Sequence, residues 1–386
     1  MELTVPVPEL DLTDPELIRD PFTAYGRVRE IAPVARMPMP GIGTIWVLLR
    51  HETARAMLGD PRFAITSGSF LAPPGVPEDC LPYLRTMSEM DGPDHLRVRR
   101  LAAPAFRARR VAGLVARIAR LAERLLDELP EPAADLLPGF ARPLPIEVIC
   151  ELVGVPEDER PRWREYGAVI ASGSGQRLGE AMPGIVAGAR ALIARRRDEP
   201  ADDLMTDLLR AGEDADRLTE TELVTMVWHL VLAGQTPVNL IANAIEVLLR
   251  HDLRIEPAAM ARAVEELLRW CGPALLSVPR YAQEDVELEG VLMRKGEAVT
   301  VSAAAANRDP RVFAEADRLD LGRLPGPHLG FGHGPHFCLG AGIARVQTEV
   351  ALTTLFRRFP GMTLVDAPRA MDPGTWRLEA LTVRTG

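Results

Sequence analysis

The stretch "GPHLGFGHGPHFCLGAGIARVQTEVALTTLF", residues 326–356, decides how the rest of the chain is read. Its first half is a loop rich in Gly, Pro and His. From about Gly340 it becomes a helix, with Ile343, Val346, Val350 and Leu352 at helical spacing. Cys338 falls at the junction. Unpaired backbone N–H groups and the positive end of the helix dipole there favour a thiolate over a thiol. Glycines at 330, 332, 334, 340 and 342 let the backbone approach something large and flat. A thiolate backed by N–H donors beside a flat cavity suits an axial ligand to haem iron. Taken alone, Cys338 also reads as a buried structural thiol beside a glycine turn.

The chain around this loop has 386 residues, 47% of them hydrophobic, which suffices for a large core. Charged residues make up 26% and the net charge is −9, which argues against a nucleic-acid partner for the whole protein. The four cysteines (Cys80, Cys150, Cys271, Cys338) are far apart with no C-x-x-C pair. That fits neither a disulfide framework nor a zinc site, and it points to a reducing cytoplasm. "MELTVPVPELDLTDPELIRD" at the start lacks the charged head and apolar run of a signal peptide. No run of about 18 uninterrupted apolar residues occurs, so no membrane span is expected.

Helical patterns dominate, as in "VAGLVARIARLAERLLDEL" (111–129), "PIEVICELVGV" (145–155) and "PAAMARAVEELLRW" (257–270). Strand signals are short: "GTIWVLLR" (43–50), "VELEGVLMRKGEAVTVSA" (286–303) around a Lys-Gly turn, and "WRLEALTVR" near the end. The pattern predicts a mainly α chain with small β-sheets, one domain over 1–386 whose first 65 or so residues are β-rich. A T-x-x-E capping box, Thr219 with Glu222, opens an apolar helix. Continued to Arg250, that helix spans about 30 residues, or about 45 Å. It carries Pro237 in "HLVLAGQTPVNLIANAI" (229–245), where an interior proline costs about 3 kcal/mol.

"FGHGPHFCLG" resembles the F-x-x-G-x-[HR]-x-C-x-G loop of the cytochrome P450 superfamily, the haem-thiolate monooxygenases, with Phe331, Gly334, His336, Cys338 and Gly340 matching. The resemblance runs over nearly the whole chain. It implies the triangular-prism P450 fold, with haem b between the long central helix and the Cys-loop helix. It makes Cys338 the metal ligand, with Phe331, Gly332 and Gly340 on the cofactor-binding loop. Glu266 and Arg269 form an E-x-x-R pair roughly 70 residues before the cysteine. In the family this pair takes an arginine as third partner, which Arg318 matches. His95 and Arg99 share one helix face and match a pair that holds a haem propionate; Arg280 and His336 match further propionate donors. Each of these, alone, also reads as an ordinary surface residue.

In the family the long central helix usually carries A-G-x-[DE]-T-[TS] beside the haem. Here Thr236 takes the threonine position, Gln235 the acid and Pro237 the following hydroxyl; Ala233 and Gly234 meet the Ala-Gly only with a shift of one residue. The threonine and acid deliver protons for oxygen activation, and an amide cannot act as a carboxylate. Two readings stay open: hydroxylation or epoxidation of a hydrophobic small molecule, or oxidative aryl or phenol coupling of a peptide or diketopiperazine-like substrate. A non-catalytic haem sensor is a third. Leu232, Val238, Leu275, Leu276 and Val278 are candidate pocket walls. "TSGSFLAPPGVPEDC" (66–80) reads as part of a mobile lid-like loop over about 64–90. Between His95 and Arg110 stand six arginines and no acid. The resemblance makes Arg97, Arg100, Arg107, Arg109 and Arg110 a landing site for an acidic ferredoxin. It also implies a ferredoxin reductase, electrons from NAD(P)H, O2 as co-substrate and a monomer.

Overall fold

A computed structural model describes residues 7–70, 73–171, 174–212 and 216–385. The expected single domain over 1–386 also takes in 1–6, 71–72, 172–173, 213–215 and 386, and the expected lid includes 71–72; those positions lie outside the described residues. The chain forms two compact units from interleaved segments: Met1–Leu71 with Asn243–Cys338 and Ala367–Glu379, and Ala72–Ala242 with Leu339–Asp366 and Ala380–Gly386.

The first unit is built on a five-stranded sheet in the order Val34–Met39, Gly43–Leu48, Ala298–Val301, Arg280–Ala282, Phe63–Ala64. Gly43–Leu48 and Ala298–Val301 pair in parallel from Trp46↔Val299 to Leu48↔Val301; the other described pairings of this sheet are antiparallel. Side chains alternate across a strand, and both faces are covered. Val34, Leu48, Val299 and Val301 enter one apolar cluster, while Ala35, Met37, Ile45 and Val47 enter another. Burial of each such Leu, Ile or Val side chain contributes about 1.5–3 kcal/mol. The segment 286–303 forms three strands. Val286–Leu288 and Val291–Met293 pair as a hairpin about Glu289-Gly290, both at positive φ, and the chain then turns at Lys295-Gly296 into Ala298–Val301.

The second unit is helical, with a three-stranded sheet ordered Ala133–Asp135, Thr382–Arg384, Thr363–Asp366. Val111, Leu114, Ile118, Ala122 and Leu125 form the buried stripe of helix Ala108–Asp127, which packs on helix Ala341–Arg358. The spacing is that of an amphipathic helix.

The predicted 30-residue helix is broken in two, Glu220–Ala233 and Thr236–Arg250. The capping box at its start forms as predicted: Thr219 Oγ1 accepts from the Glu222 amide at 3.2 Å, and Glu222 Oε2 from the Thr219 amide at 2.8 Å. At the break, the Gln235 amide donates to the Leu232 carbonyl, three residues back, at 3.2 Å. Pro237 is thereby the second residue of a new helix. Its missing N–H is one of the donors a first turn leaves unpaired anyway, so the penalty of an interior proline does not arise. The apolar stretch Glu220–Arg250 has the length and hydropathy of a membrane span, but 72% of its most apolar window is buried within the protein, as in a core helix.

Candidate functional site

Cys338 is exposed, whereas Cys80, Cys150 and Cys271 are buried. Burial pushes the Cys150 and Cys271 thiols up to about 12 and raises Cys80 as well. Only Cys338 is therefore placed to serve as a thiolate ligand. Its loop is closed by its own backbone. The Cys338 amide donates to the Phe331 carbonyl at 2.9 Å, and the Phe337 amide to the Gly334 carbonyl at 3.0 Å. Gly332 and Gly334 have φ of 71° and 72°, a region that favours glycine. At Gly334 a Cβ would also stand 2.6 Å from the Leu58 carbonyl oxygen. That same carbonyl accepts a 2.8 Å bond from Arg280 Nη1. The same backbone oxygen thus bonds Arg280 and lies close against the cysteine loop at Gly334.

A chain of contacts in the same unit braces the loop's start. Glu266 and Arg269, both almost wholly buried, make a two-bonded ion pair, each bond 2.7 Å. Arg269 Nη1 donates to the Asn307 carbonyl at 2.9 Å, and Asn307 Oδ1 accepts from the Leu329 amide at 2.6 Å. His328 lies 3.1 Å from Glu265. The E-x-x-R pair acts on the loop through Asn307, a residue that carries no signal in the sequence.

The third member of the triad is Arg323, not Arg318. Arg323 Nε sits 3.2 Å from Glu266 with its side chain 16% exposed. Arg318 points to solvent and pairs with Glu315 three residues away, both well exposed. Only its backbone carbonyl enters the knot, accepting from Arg269 at 3.2 Å.

In the second unit, helix Gly92–Ala102 puts His95, buried, and Arg99, half-buried, on one face. At the helix break, Leu232, Ala233 and Thr236 are exposed. Gln235 turns back on its own helix, its amide nitrogen 3.4 Å from the Val231 carbonyl. It packs against Gly167 of helix Arg160–Ala171, where a Cβ would meet that nitrogen at 2.8 Å. Gly234 is buried, and a Cβ there would collide with Ile149. A steric need for close helix approach explains this glycine.

Several expectations change. Val238 and Leu275 are buried, and Leu275 belongs to an apolar cluster of the sheet; neither is a pocket wall. Leu276 is partly buried, while Leu232 and Val278 are exposed. The segment 73–90 is not a loose lid. It contains short 3-10 turns, Glu78–Tyr83 and Met87–Glu89, with Cys80, Tyr83 and Met87 buried. The Tyr83 carbonyl accepts from Trp228 Nε1 at 2.7 Å, and Ser88 Oγ lies 3.0 Å from His229 Nε2. Burial lowers His229 to about 4, so its imidazole is neutral near pH 7. The arginine run is largely neutralised: Arg97 pairs with Glu222, Arg100 with Asp216, and Arg110 with Asp202 and Asp207. Arg107 and Arg109 are exposed and make no ion pair among the described residues.

The donors of each unit fit haem by their chemistry. The first unit offers one exposed thiol as a soft iron ligand, with Arg280 and His336 suited to carboxylates, and the second unit by itself offers His95 and Arg99 of the same character.

Comparison with known proteins agrees. The Cytochrome P450 family model matches residues 258–374. The chain is 40% identical to the mycinamicin IV hydroxylase/epoxidase of Micromonospora griseorubida over 88% of each chain. It is 37% identical to the 6-deoxyerythronolide B hydroxylase of Saccharopolyspora erythraea over 96% of each. Among solved structures, the bacillaene polyketide synthase cytochrome P450 of Bacillus subtilis 168 superposes with a TM-score of 0.88 at 33% identity, covering 96% of this chain and 98% of that one. With such relatives spanning almost its entire length, the chain belongs to the cytochrome P450 family.

Proposed function

We propose that this monooxygenase holds haem through Cys338 and hydroxylates or epoxidises a hydrophobic small molecule, as a tailoring step of bacterial secondary metabolism in the cytoplasm. The observation that carries the reading is the exposed Cys338 at the end of a self-closed loop that Asn307 and Leu58 brace from behind. The mycinamicin IV hydroxylase/epoxidase and the 6-deoxyerythronolide B hydroxylase among its relatives support it. Bound haem-thiolate supplies O2 activation. The chain's own residues do the rest. His95, Arg99, Arg280 and His336 hold the propionates. Leu232 and Val278 offer apolar surface to the substrate. The exposed Thr236 hydroxyl accepts and donates a hydrogen bond and so relays a proton at Oγ1. Arg107 and Arg109 receive an acidic ferredoxin, supplied with electrons from NAD(P)H by its reductase; they lie one turn before Val111, which packs on Gly342 of the Cys-loop helix.

A second reading, oxidative aryl or phenol coupling, draws on Gln235. A side-chain amide, its nitrogen turned to the Val231 carbonyl, stands at the acid position in place of a proton-delivering carboxylate. Two measurements test these readings. Reduced, CO-bound protein must show the family's red-shifted Soret band; its absence sinks haem-thiolate ligation. NADPH consumption with ferredoxin and reductase, coupled to oxygenated product, separates monooxygenation from coupling and from a sensor without turnover.

A further inference from the structure

The spacing of three and four residues places Thr225, Trp228, His229, Leu232, Ala233 and Thr236 along one face of the broken helix. The first half of this face is covered by the segment 83–90. Trp228 Nε1 and Thr225 Oγ1 both donate to the Tyr83 carbonyl, at 2.7 and 3.4 Å. The Tyr83 phenol also accepts from Arg190 at 2.5 Å, and that guanidinium stacks 5.4 Å from the ring. His229 Nε2 lies 3.0 Å from Ser88 Oγ. The second half is open, with Leu232, Ala233 and Thr236 exposed. The change from covered to open takes place within one turn, and Ser88 stands at the edge. The Tyr83 end is held by several polar groups, whereas the Ser88 end, packed beside the buried Met87 and Met90, makes a single side-chain hydrogen bond to the helix among the described residues. His229 is buried and neutral, so it offers one donor and one acceptor, and the serine hydroxyl can answer either.

We propose that the Ser88–His229 pair is a positioning latch that sets substrate size. It holds the Ser88–Met90 edge over the helix and thereby limits how bulky an apolar molecule the open face admits. Released, that edge uncovers His229 and lengthens the open face by about one turn, about 5.4 Å. This inference rests on the haem-pocket reading above.

The test titrates ferric holoprotein with imidazole, 4-phenylimidazole and clotrimazole, reading affinity from the Soret shift, in the wild type and in S88A, H229L and H229Q. S88A and H229L are expected to favour clotrimazole over imidazole by about fivefold more than wild type, the worth of one net hydrogen bond. Amides 84–90 should exchange faster with solvent in S88A. H229Q, whose amide can still meet the serine, should stay within about twofold of wild type. An unchanged size ratio in S88A and H229L, or H229Q behaving like H229L, overturns the latch. S88A alters a half-exposed hydroxyl, so the result does not depend on the buried variants folding. If imidazole itself leaves the wild-type Soret band unmoved, the haem-pocket reading fails first and takes this inference with it.

Discussion

Replacing Arg323 by Ala is expected to harm the protein far more than replacing Arg318. Arg323 bonds the buried Glu266 at 3.2 Å, the Ala314 carbonyl at 2.8 Å and the carbonyls of Glu315 and Arg318 at 3.3 and 3.4 Å. Hydrogen bonds to charged groups are worth about 1.5–3 kcal/mol each. Glu266 keeps both bonds from Arg269, so the loss is partial, about 2–4 kcal/mol. Arg318 forms an exposed i,i+3 pair worth about 0–0.5 kcal/mol. Its contribution to the knot is a backbone carbonyl that Arg318→Ala leaves in place. At about 2.1 cal/mol/K per residue, 386 residues carry an unfolding entropy of about 0.8 kcal/mol/K. Thermal unfolding of the holoprotein followed by circular dichroism should therefore drop by about 3–5 °C for Arg323→Ala and by less than about 1 °C for Arg318→Ala. A midpoint lowered as much by Arg318→Ala, or untouched by Arg323→Ala, would refute the assignment of the third arginine.

Cys338→Ser is expected to abolish the red-shifted Soret band of the reduced CO complex; a retained band would place the ligand elsewhere. Gly234→Ala should cost about 1–3 kcal/mol by overpacking against Ile149. Adding Ile149→Ala should recover most of that loss in a urea double-mutant cycle, and a neutral single variant would remove the steric account of this glycine. His229 has a folded value of about 4 against an ordinary 6.5, lowered by burial. The unfolded chain therefore takes up a proton first as the pH falls, and stability present above pH 6.5 is lost down to about pH 4, by about 3 kcal/mol at most. His229→Gln should flatten that part of the stability profile measured by urea titration; an identical slope would discount the group. Charge reversal at Arg107 and Arg109 together should slow ferredoxin-supported reduction about tenfold at low salt, whereas reversal at the already paired Arg97 should change stability more than rate. Stopped-flow reduction distinguishes the two, and equal rates throughout would exclude this landing site.

The cysteine loop was legible because its chemistry is local: a thiol, a helix start and glycines needing positive φ all lie within about ten residues. The amphipathic helix read over 111–129 was legible for the same reason, since apolar period and burial agree within Ala108–Asp127. What escaped depends on partners distant in sequence or on side-chain direction. Arg318 and Arg323 are five residues apart, and only tertiary packing decides which faces Glu266. The arginine run looked unopposed because its counter-charges, Asp202, Asp207, Asp216 and Glu222, lie about a hundred residues further along. Proline at 237 signalled a helix disturbance correctly. Spacing alone could not say whether the helix would bend there or restart, because the restart shows only in the hydrogen bonding, with the Gln235 amide turned to the Leu232 carbonyl three residues back.

The supports of the cysteine loop share one property of order along the chain. Leu58, Glu266, Arg269, Arg280, Asn307 and Arg323 all precede Cys338. A nascent chain is made from the N-terminus and folds in that direction, so each of these supports is synthesised before the thiol, while the helix that follows the loop comes after it.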